Sequence, residues 1–364
     1  MSSVKKKITV ITTGGTIGSI LQSDHVAVDS STHKIAQEIE AAKQTLGFDV
    51  DVVSPINKNS EVLSPADWLT ILHAIDAACQ TDCDGIVVTH GTDTMAYTVA
   101  AAATFSHLWT KKVCFTGAFL APDLPASDTA LSLLSALAFA AAETTPETTP
   151  ETTPETQTSG VFVAFRSDET NSEAKILNAF DLKPMGFDEA VFNTVYDRVV
   201  GRYVPEVGLI DVGLSEAGLQ PSVRNPTINS DVIPAEEAIT AAQQKIACLP
   251  LYPGLDRGTL QAVSAGKEVV VIQLYHSGTG PFGESYPDVV AHIQESSSDT
   301  LYLLGSFPGK HIATPYGSTH ALIASGGVLY RDIQPHFLYV FALLALASGK
   351  SRSEIREMLK GWEV

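Results

Sequence analysis

The chain has 364 residues, with 41 Asp plus Glu against 23 Lys plus Arg, a net charge of −18 and 45% apolar residues. At roughly 100–200 residues per domain, this length predicts two domains with enough apolar material for buried cores, and it excludes disorder as the state of the whole chain. The acidic balance, unrelieved by any stripe of Lys or Arg, excludes an unaided electrostatic grip on nucleic acid or anionic lipid, so neither is expected as a partner.

The opening MSSVKKKITV carries three lysines but no apolar run of signal-peptide length before Gly14. The most apolar helical windows, 130–142 and 337–347, fall short of the roughly 20 residues a bilayer span needs and read as core helices. A cytoplasmic location is the expectation. Cys79, Cys83, Cys114 and Cys248 are too few and too scattered for a disulfide framework, which suits a reducing compartment. Cys79 and Cys83 would share a helical face, yet no second Cys/His pair completes a tetrahedral site, so no metal or other cofactor is expected.

Short β-branched runs alternate with Ala-rich segments of helical length, the pattern of parallel sheets covered by helices, and the fold class is α/β. Strands are predicted at 7–13, 50–53, 85–89, 112–116 and 160–165, with helices such as 65–79 and 94–108 between them. These five strands fill one sheet. A second series, with strands at 247–251, 268–274 and 301–304 and helices at 335–348 and 351–362, forms a smaller α/β unit. The reading is an N-terminal domain over 1–217, a Ser-, Pro-, Asn- and Asp-rich linker over 218–244, and a C-terminal domain over 245–364. Within the first domain, the stretch 143–158 begins ETTPETTPETTPET. Proline at every fourth position and the lack of apolar residues make it a solvated surface loop rather than a helix.

The first chemical signal follows the first strand: Thr13-Gly14-Gly15-Thr16-Ile17. Two consecutive glycines let the backbone turn sharply and approach a ligand, presenting the Thr16 hydroxyl at the carboxyl end of a parallel strand, where open α/β sheets bind ligands. Neither dinucleotide nor P-loop phosphate-binding spacing is present. A second strand, turn and helix start follows at 84–95, where His90-Gly91-Thr92-Asp93-Thr94-Met95 delivers Thr92 and the carboxylate of Asp93 to a strand end in the same sheet. One such turn is explained by helix capping alone. Two in one sheet point to a shared crevice holding two hydroxyls and an acid.

These residues resemble the bacterial-type L-asparaginase/glutaminase family, whose two signatures look like Thr13–Ile17 and His90–Met95. The resemblance runs over essentially the whole chain, through Ser60-Glu61, Thr116-Gly117-Ala118 and Tyr252-Pro253-Gly254, and the last of these looks more like the cytoplasmic, type I branch. It implies a larger N-terminal domain with a mainly parallel, doubly wound sheet and a smaller flavodoxin-like α/β domain. It also implies hydrolysis of a small amino-acid amide, L-asparagine or L-glutamine, to the acid and ammonia through a threonine acyl-enzyme. By that analogy Thr16 is the nucleophile, while Thr92, Asp93 and a lysine, best matched by Lys175, form the second catalytic group. Such activation is chemically necessary, because a threonine hydroxyl is a poor nucleophile at its free pKa. Backbone N–H groups of Ala118 and Thr92 are the candidate oxyanion donors. Ser60 and Asp93 would hold the substrate's α-carboxylate and α-amino group, and Glu61 stands where some members carry a glutamine. The resemblance also implies a homodimer or homotetramer with sites completed across an interface.

Several positions depart from the family pattern. Lys175 follows Ala174 where a threonine is usual, and it lies closer to Ala179-Phe180. The lid after the first motif, 20–33, contains no tyrosine, and His25 is the only obvious substitute as a base. Ser127-Asp128-Thr129 keeps the aspartate but not the glycine after it. His276-Ser277-Gly278-Thr279-Gly280-Pro281 has proline in place of asparagine, and Pro335-His336 stands where a type I acid is expected. Two rival readings follow. One is a catalytically weak amino-acid sensor that keeps the crevice; the other is a serine nucleophile at Ser277, which lacks the flanking glycines of a nucleophile elbow.

Overall fold

The computed structural model describes residues 5–21, 26–28, 32–142, 160–195, 199–211, 226–281, 287–307 and 314–364. The chain divides into two compact units, Met1–Asn225 and Pro226–Val364.

In chain order the first unit contains β1 (Lys7–Thr12), β2 (Ser19–Leu21), β3 (Val26–Val28), α1 (His33–Leu46), β4 (Asp49–Val53), α2 (Pro65–Cys79) and β5 (Gly85–Thr89). It continues with α3 (Met95–Thr104), β6 (Lys112–Thr116), α4 (Thr129–Ala141), β7 (Gly160–Arg166), β8 (Ala174–Asn178), β9 (Val199–Val204) and β10 (Gly208–Asp211). Eight of these strands form one sheet in the order β10-β9-β8-β7-β6-β5-β1-β4. The unbroken runs GIVVT and KVCFT are buried along their whole length, as central parallel strands covered on both faces must be. By contrast β4 is an edge strand, largely exposed and carrying Asp49 and Asp51, charges that discourage edge-to-edge association.

Helices cover both faces of the sheet. On one side Ile8, Val10, Val87, Cys114, Phe162, Ala164 and Ile176 pack against Leu133, Ala136, Leu137 and Ala140 of α4 and Ile35 and Ile39 of α1. A 13-residue helix such as α4 is marginal alone; burying Leu133 and Leu137, at about 1.5–3 kcal/mol each, is what holds it. The opposite side takes α2, which Ser64 and Asp67 start with a reciprocal capping box, and the alanine-rich α3.

The five strands expected from sequence, β1, β4, β5, β6 and β7, are the five that pair parallel. The sheet is nevertheless larger than five strands. Three more, β8, β9 and β10, extend it antiparallel from β7. Lys175, Arg202 and Asp211 interrupt their apolar runs, so only pairing with a neighbouring strand shows them to be strands.

The second unit contains α5 (Glu236–Gln243), β11 (Ile246–Pro250), α6 (Arg257–Ser264), β12 (Val269–Gln273), α7 (Pro287–Ser296), β13 (Leu301–Phe307), α8 (Gly317–Ala324), β14 (Val328–Arg331), α9 (Pro335–Ala347) and α10 (Arg352–Met358). Its four strands run parallel in the order β11-β12-β13-β14. The central helix α9 is apolar on all sides and buried, as expected of a core helix. Contrary to expectation, α5 lies inside the stretch read as linker. Its Ile239 and Ala242, three residues apart, are buried, and it packs against α9. Eight residues with two anchoring side chains give too short a periodicity to stand out in a polar context. The ETTP repeat and the linker residues 218–225 lie outside the described residues. Among those described, no helix is long and apolar enough to cross a membrane.

Candidate active site

The site grows from neighbouring strand ends. In register, Thr12 of β1 lies beside Thr89 of β5, which lies beside Thr116 of β6. Thr13 then binds its loop to β5 twice: its amide and its hydroxyl both donate to the Thr89 carbonyl, at 3.2 and 2.8 Å. The chain next turns through Gly14 and Gly15, with φ of +102° and +82°, values that favour glycine.

Gly15 does more than turn. A β-carbon there would lie 2.4 Å from both Cα and N of Gly91. The two motif loops therefore touch backbone to backbone, one residue ahead of Thr16 and of Thr92. With consecutive α-carbons 3.8 Å apart, this contact holds the Cα atoms of the two threonines within about 12 Å. Thr16 opens a short 3₁₀ turn, Thr16–Gly18, fixed by the Gly18 amide and the Ser19 hydroxyl donating to the Gly15 carbonyl. Ile17 is fully buried beneath it, Thr16 is half-buried, and among the described residues the Thr16 hydroxyl has no hydrogen-bond partner.

Further residues close round the same contact. Ser60 is buried with its side chain against Gly91, where a β-carbon would lie 2.5 Å from Oγ, and its carbonyl accepts a 2.7 Å bond from the Thr94 hydroxyl. Glu61, in the same turn, is exposed, as is Asp93. The methyl of Thr92 lies 3.6 Å from the β-carbon position of Gly117, so the third loop reaches the second just before Ala118. Ala118 is fully buried, and neither its N–H nor that of Thr92 finds an acceptor among the described residues. The loop after Ala118 is held by Asp128, completely buried, which accepts from the amides of Phe119 and Leu120 at 3.0 Å.

Thr16, Ser60, Thr92 and Ala118 are thus brought together by glycine contacts. Lys175 follows the fifth expected strand, β7, and lies within a strand the sequence did not disclose, β8. It pairs with Phe165, one residue beyond Ala164, whose carbonyl accepts from Thr116 Oγ1 at 2.9 Å, so it sits on the carboxyl-end rim of the sheet. Three strand spacings separate β8 from β5, roughly 14 Å at about 4.8 Å each. Its charge, with that of Arg166, also acts on Asp168, whose carboxyl is held below the usual range mainly by hydrogen bonds from the Thr170 hydroxyl and amide.

Two residues received no role from sequence. His90 is fully buried; its Nδ1 donates to the Gly91 carbonyl at 2.7 Å and its Nε2 meets the Thr98 hydroxyl at 2.8 Å. Burial pushes its pKa down to about 4. Arg166, buried at the end of β7, places its guanidinium 4.9 Å from the centre of the Phe119 ring and donates to the Ala190 carbonyl. His90 lies inside the second glycine motif; Arg166 carries no local signal at all.

In the second unit, the Ser277 hydroxyl is bonded to that of Thr279 at 3.0 Å, within a turn whose Gly278 carbonyl accepts from Thr319. His336 is buried in the first turn of α9 and its pKa is pushed down to about 3, so it is neutral near pH 7. His25 lies outside the described residues. Among those described, no group of three or more His, Cys, Asp or Glu could hold a metal ion.

Residues 7–185, which include both glycine loops, match the family model described as asparaginase, N-terminal. A glutamyl-tRNA(Gln) amidotransferase subunit of Thermoplasma acidophilum is 26% identical over 347 residues, covering 94% of this chain and 75% of that protein. The L-asparaginase of Thermococcus kodakarensis is 24% identical over 359 residues, 97% of each. Among solved structures, the thermostable L-asparaginase from Thermococcus kodakarensis superposes with a TM-score of 0.70 at 22% identity, over 97% of this chain and 96% of that one. A probable cytoplasmic L-asparaginase from Campylobacter jejuni gives 0.68 at 19%, over 98% and 99%. Residues 7–185 therefore form a domain of the asparaginase family, and the chain shares its fold with these L-asparaginases over almost its whole length.

Proposed function

We propose that the protein hydrolyses the side-chain amide of a small amino acid, L-asparagine first and L-glutamine second, with Thr16 as nucleophile. The observation that carries this reading is the backbone contact of Gly15 with Gly91, which sets two threonines at one end of one sheet. In the first step Thr16 Oγ1 attacks the amide carbon and its proton leaves toward the Thr92, Asp93 and Lys175 group. The oxyanion is received by the N–H groups of Thr92 and Ala118. Collapse expels the amine, which takes a proton and departs as ammonia, leaving an ester on Thr16. Water activated by the same group then cleaves the ester and restores the hydroxyl. Ser60 and Asp93 hold the α-carboxylate and α-ammonium, and Glu61, exposed beside Ser60, bears on whether the longer glutamine is accepted.

A second reading is an amidase for another amide. The amidotransferase relatives favour it, together with the lid lacking tyrosine and Pro281 in place of an amide side chain. Ammonia release from asparagine, glutamine and amide-bearing peptides separates the two. Asparagine turnover is expected, with kcat reduced at least about 10³-fold in Thr16→Ala. Tight asparagine binding without turnover would mark a sensor instead. We also propose a cytoplasmic homodimer or homotetramer; light scattering of the purified chain giving a monomer mass would overturn the assembly.

A further inference from the structure

We propose that His90 is a positioning residue whose imidazole fixes the direction of the Thr92 N–H. This inference rests on the oxyanion role given above to that N–H.

A carbonyl oxygen only accepts, so the 2.7 Å bond between His90 Nδ1 and the Gly91 oxygen requires the proton on Nδ1. In the neutral ring Nε2 is then an acceptor, and the Thr98 hydroxyl, 2.8 Å away, donates to it. Full burial favours that neutral ring. The Gly91 carbonyl therefore selects the tautomer, and α3 supports it, because the Thr98 hydroxyl can donate to the unprotonated Nε2.

The consequence follows from planarity. The Gly91 carbonyl and the Thr92 N–H belong to one trans peptide and point in opposite directions within one plane. Anchoring the oxygen on a ring that is itself anchored on a helix fixes the line along which the N–H points. Independent contacts leave that plane little room to turn. The His90 amide donates to the Thr116 carbonyl at 2.8 Å, its own carbonyl presses on Gly117, and Gly91 is wedged between Gly15 and Ser60. An oxyanion donor is effective when it is oriented before the charge develops, because no reorganisation is then needed during reaction.

The test separates the two ring nitrogens. An Asn δ-amide nitrogen overlays Nδ1 and keeps the donor to the Gly91 oxygen, whereas a Gln side-chain amide overlays Nε2 and loses it. His90→Asn is expected to keep kcat within about 10-fold of wild type. His90→Gln is expected to lose about 10²-fold or more, with KM within about 3-fold in both. Thr98→Val, which removes the donor to Nε2, is expected to lower kcat about 10-fold, with Thr98→Ser restoring it. Equal losses in His90→Asn and His90→Gln, or a Thr98→Val kcat equal to wild type, would overturn the assignment.

A second measurement does not depend on turnover. In selectively labelled protein, His90 nitrogen shifts should report a neutral ring protonated on Nδ1 at pH 7, and the Thr92 amide resonance should move in Thr98→Val. A ring protonated on Nε2, or an unmoved Thr92 amide, overturns the proposal even for a protein that hydrolyses neither asparagine nor glutamine. Failure of wild-type turnover with both spectroscopic results positive refutes the amidase reading alone.

Discussion

A single missing β-carbon decides whether this site exists. At Gly15 any side chain would put its β-carbon only 2.4 Å from backbone atoms of Gly91 while also holding φ at +82°. Neither backbone can yield cheaply, since Thr13 ties one loop to Thr89 and His90 ties the other to Thr116. Gly15→Ala is therefore expected to cost roughly 2–4 kcal/mol in urea denaturation and to abolish turnover. Full activity in that variant would mean that the two loops are free to separate. Cys79 and Cys114, both buried, illustrate the opposite case at the same scale. Burial pushes Cys114 up to about 12 and Cys79 to about 11, so these thiols stay protonated and are packing residues rather than nucleophiles.

Among the elements, the connection between β6 and α4 has the most to lose. Asp128 stands just before α4 and spends both carboxylate oxygens on the amides of Phe119 and Leu120. The backbone that carries the Ala118 N–H is thus hung from the start of a helix, and the Arg166 guanidinium over Phe119 braces the far side. Asp128→Ala leaves two amides without their acceptor beside a fully buried position. It is expected to destabilise by about 2–4 kcal/mol and to lower kcat more than it raises KM. Asp128→Asn, keeping one oxygen, should retain more of both, and identical losses would refute the carboxylate cradle. The strands differ in how plainly they show in the sequence, for a physical reason. Strands such as β5 and β6 are buried on both faces and announce themselves as continuous apolar runs, whereas β8 to β10 are half-polar and gain their identity from a neighbour.

At the scale of the whole molecule, two deeply buried histidines, His90 in the first unit and His336 in the second, tie stability to pH. His90 and His336 have folded pKa values pushed down to about 4 and about 3 by burial, against about 6.5 when unfolded. Between these values the unfolded chain binds more protons than the folded one, so stability is fully present above about pH 6.5 and declines as pH falls toward 4. For His90 alone the full difference is about 3 kcal/mol. Thermal denaturation should show a lower Tm at pH 4.5 than at pH 7.5, with a smaller decline in His90→Asn. A profile with the same slope in both proteins would show that His90 does not contribute.

The amino-acid sequence alone determined the α/β class, the five parallel strands, and the candidates Thr16, Thr92 and Asp93, because β-branched runs and glycine turns are local signals, while Ser60 and Ala118 were singled out only through the family resemblance. Lys175 was singled out only as the best match to the family's lysine, without the strand that carries it. Its place on the rim of β8 follows from antiparallel pairing, which depends on residues far along the chain. The helix α5 stayed hidden because its two buried side chains acquire meaning only against α9. Only tertiary structure could bring Gly15 against Gly91, set the His90 ring between Thr98 and the Gly91 carbonyl, and hang the Ala118 loop from Asp128. Contact between segments 76 residues apart is a property of the packed sheet, because which backbones touch is decided by strand order and register rather than by any window of residues.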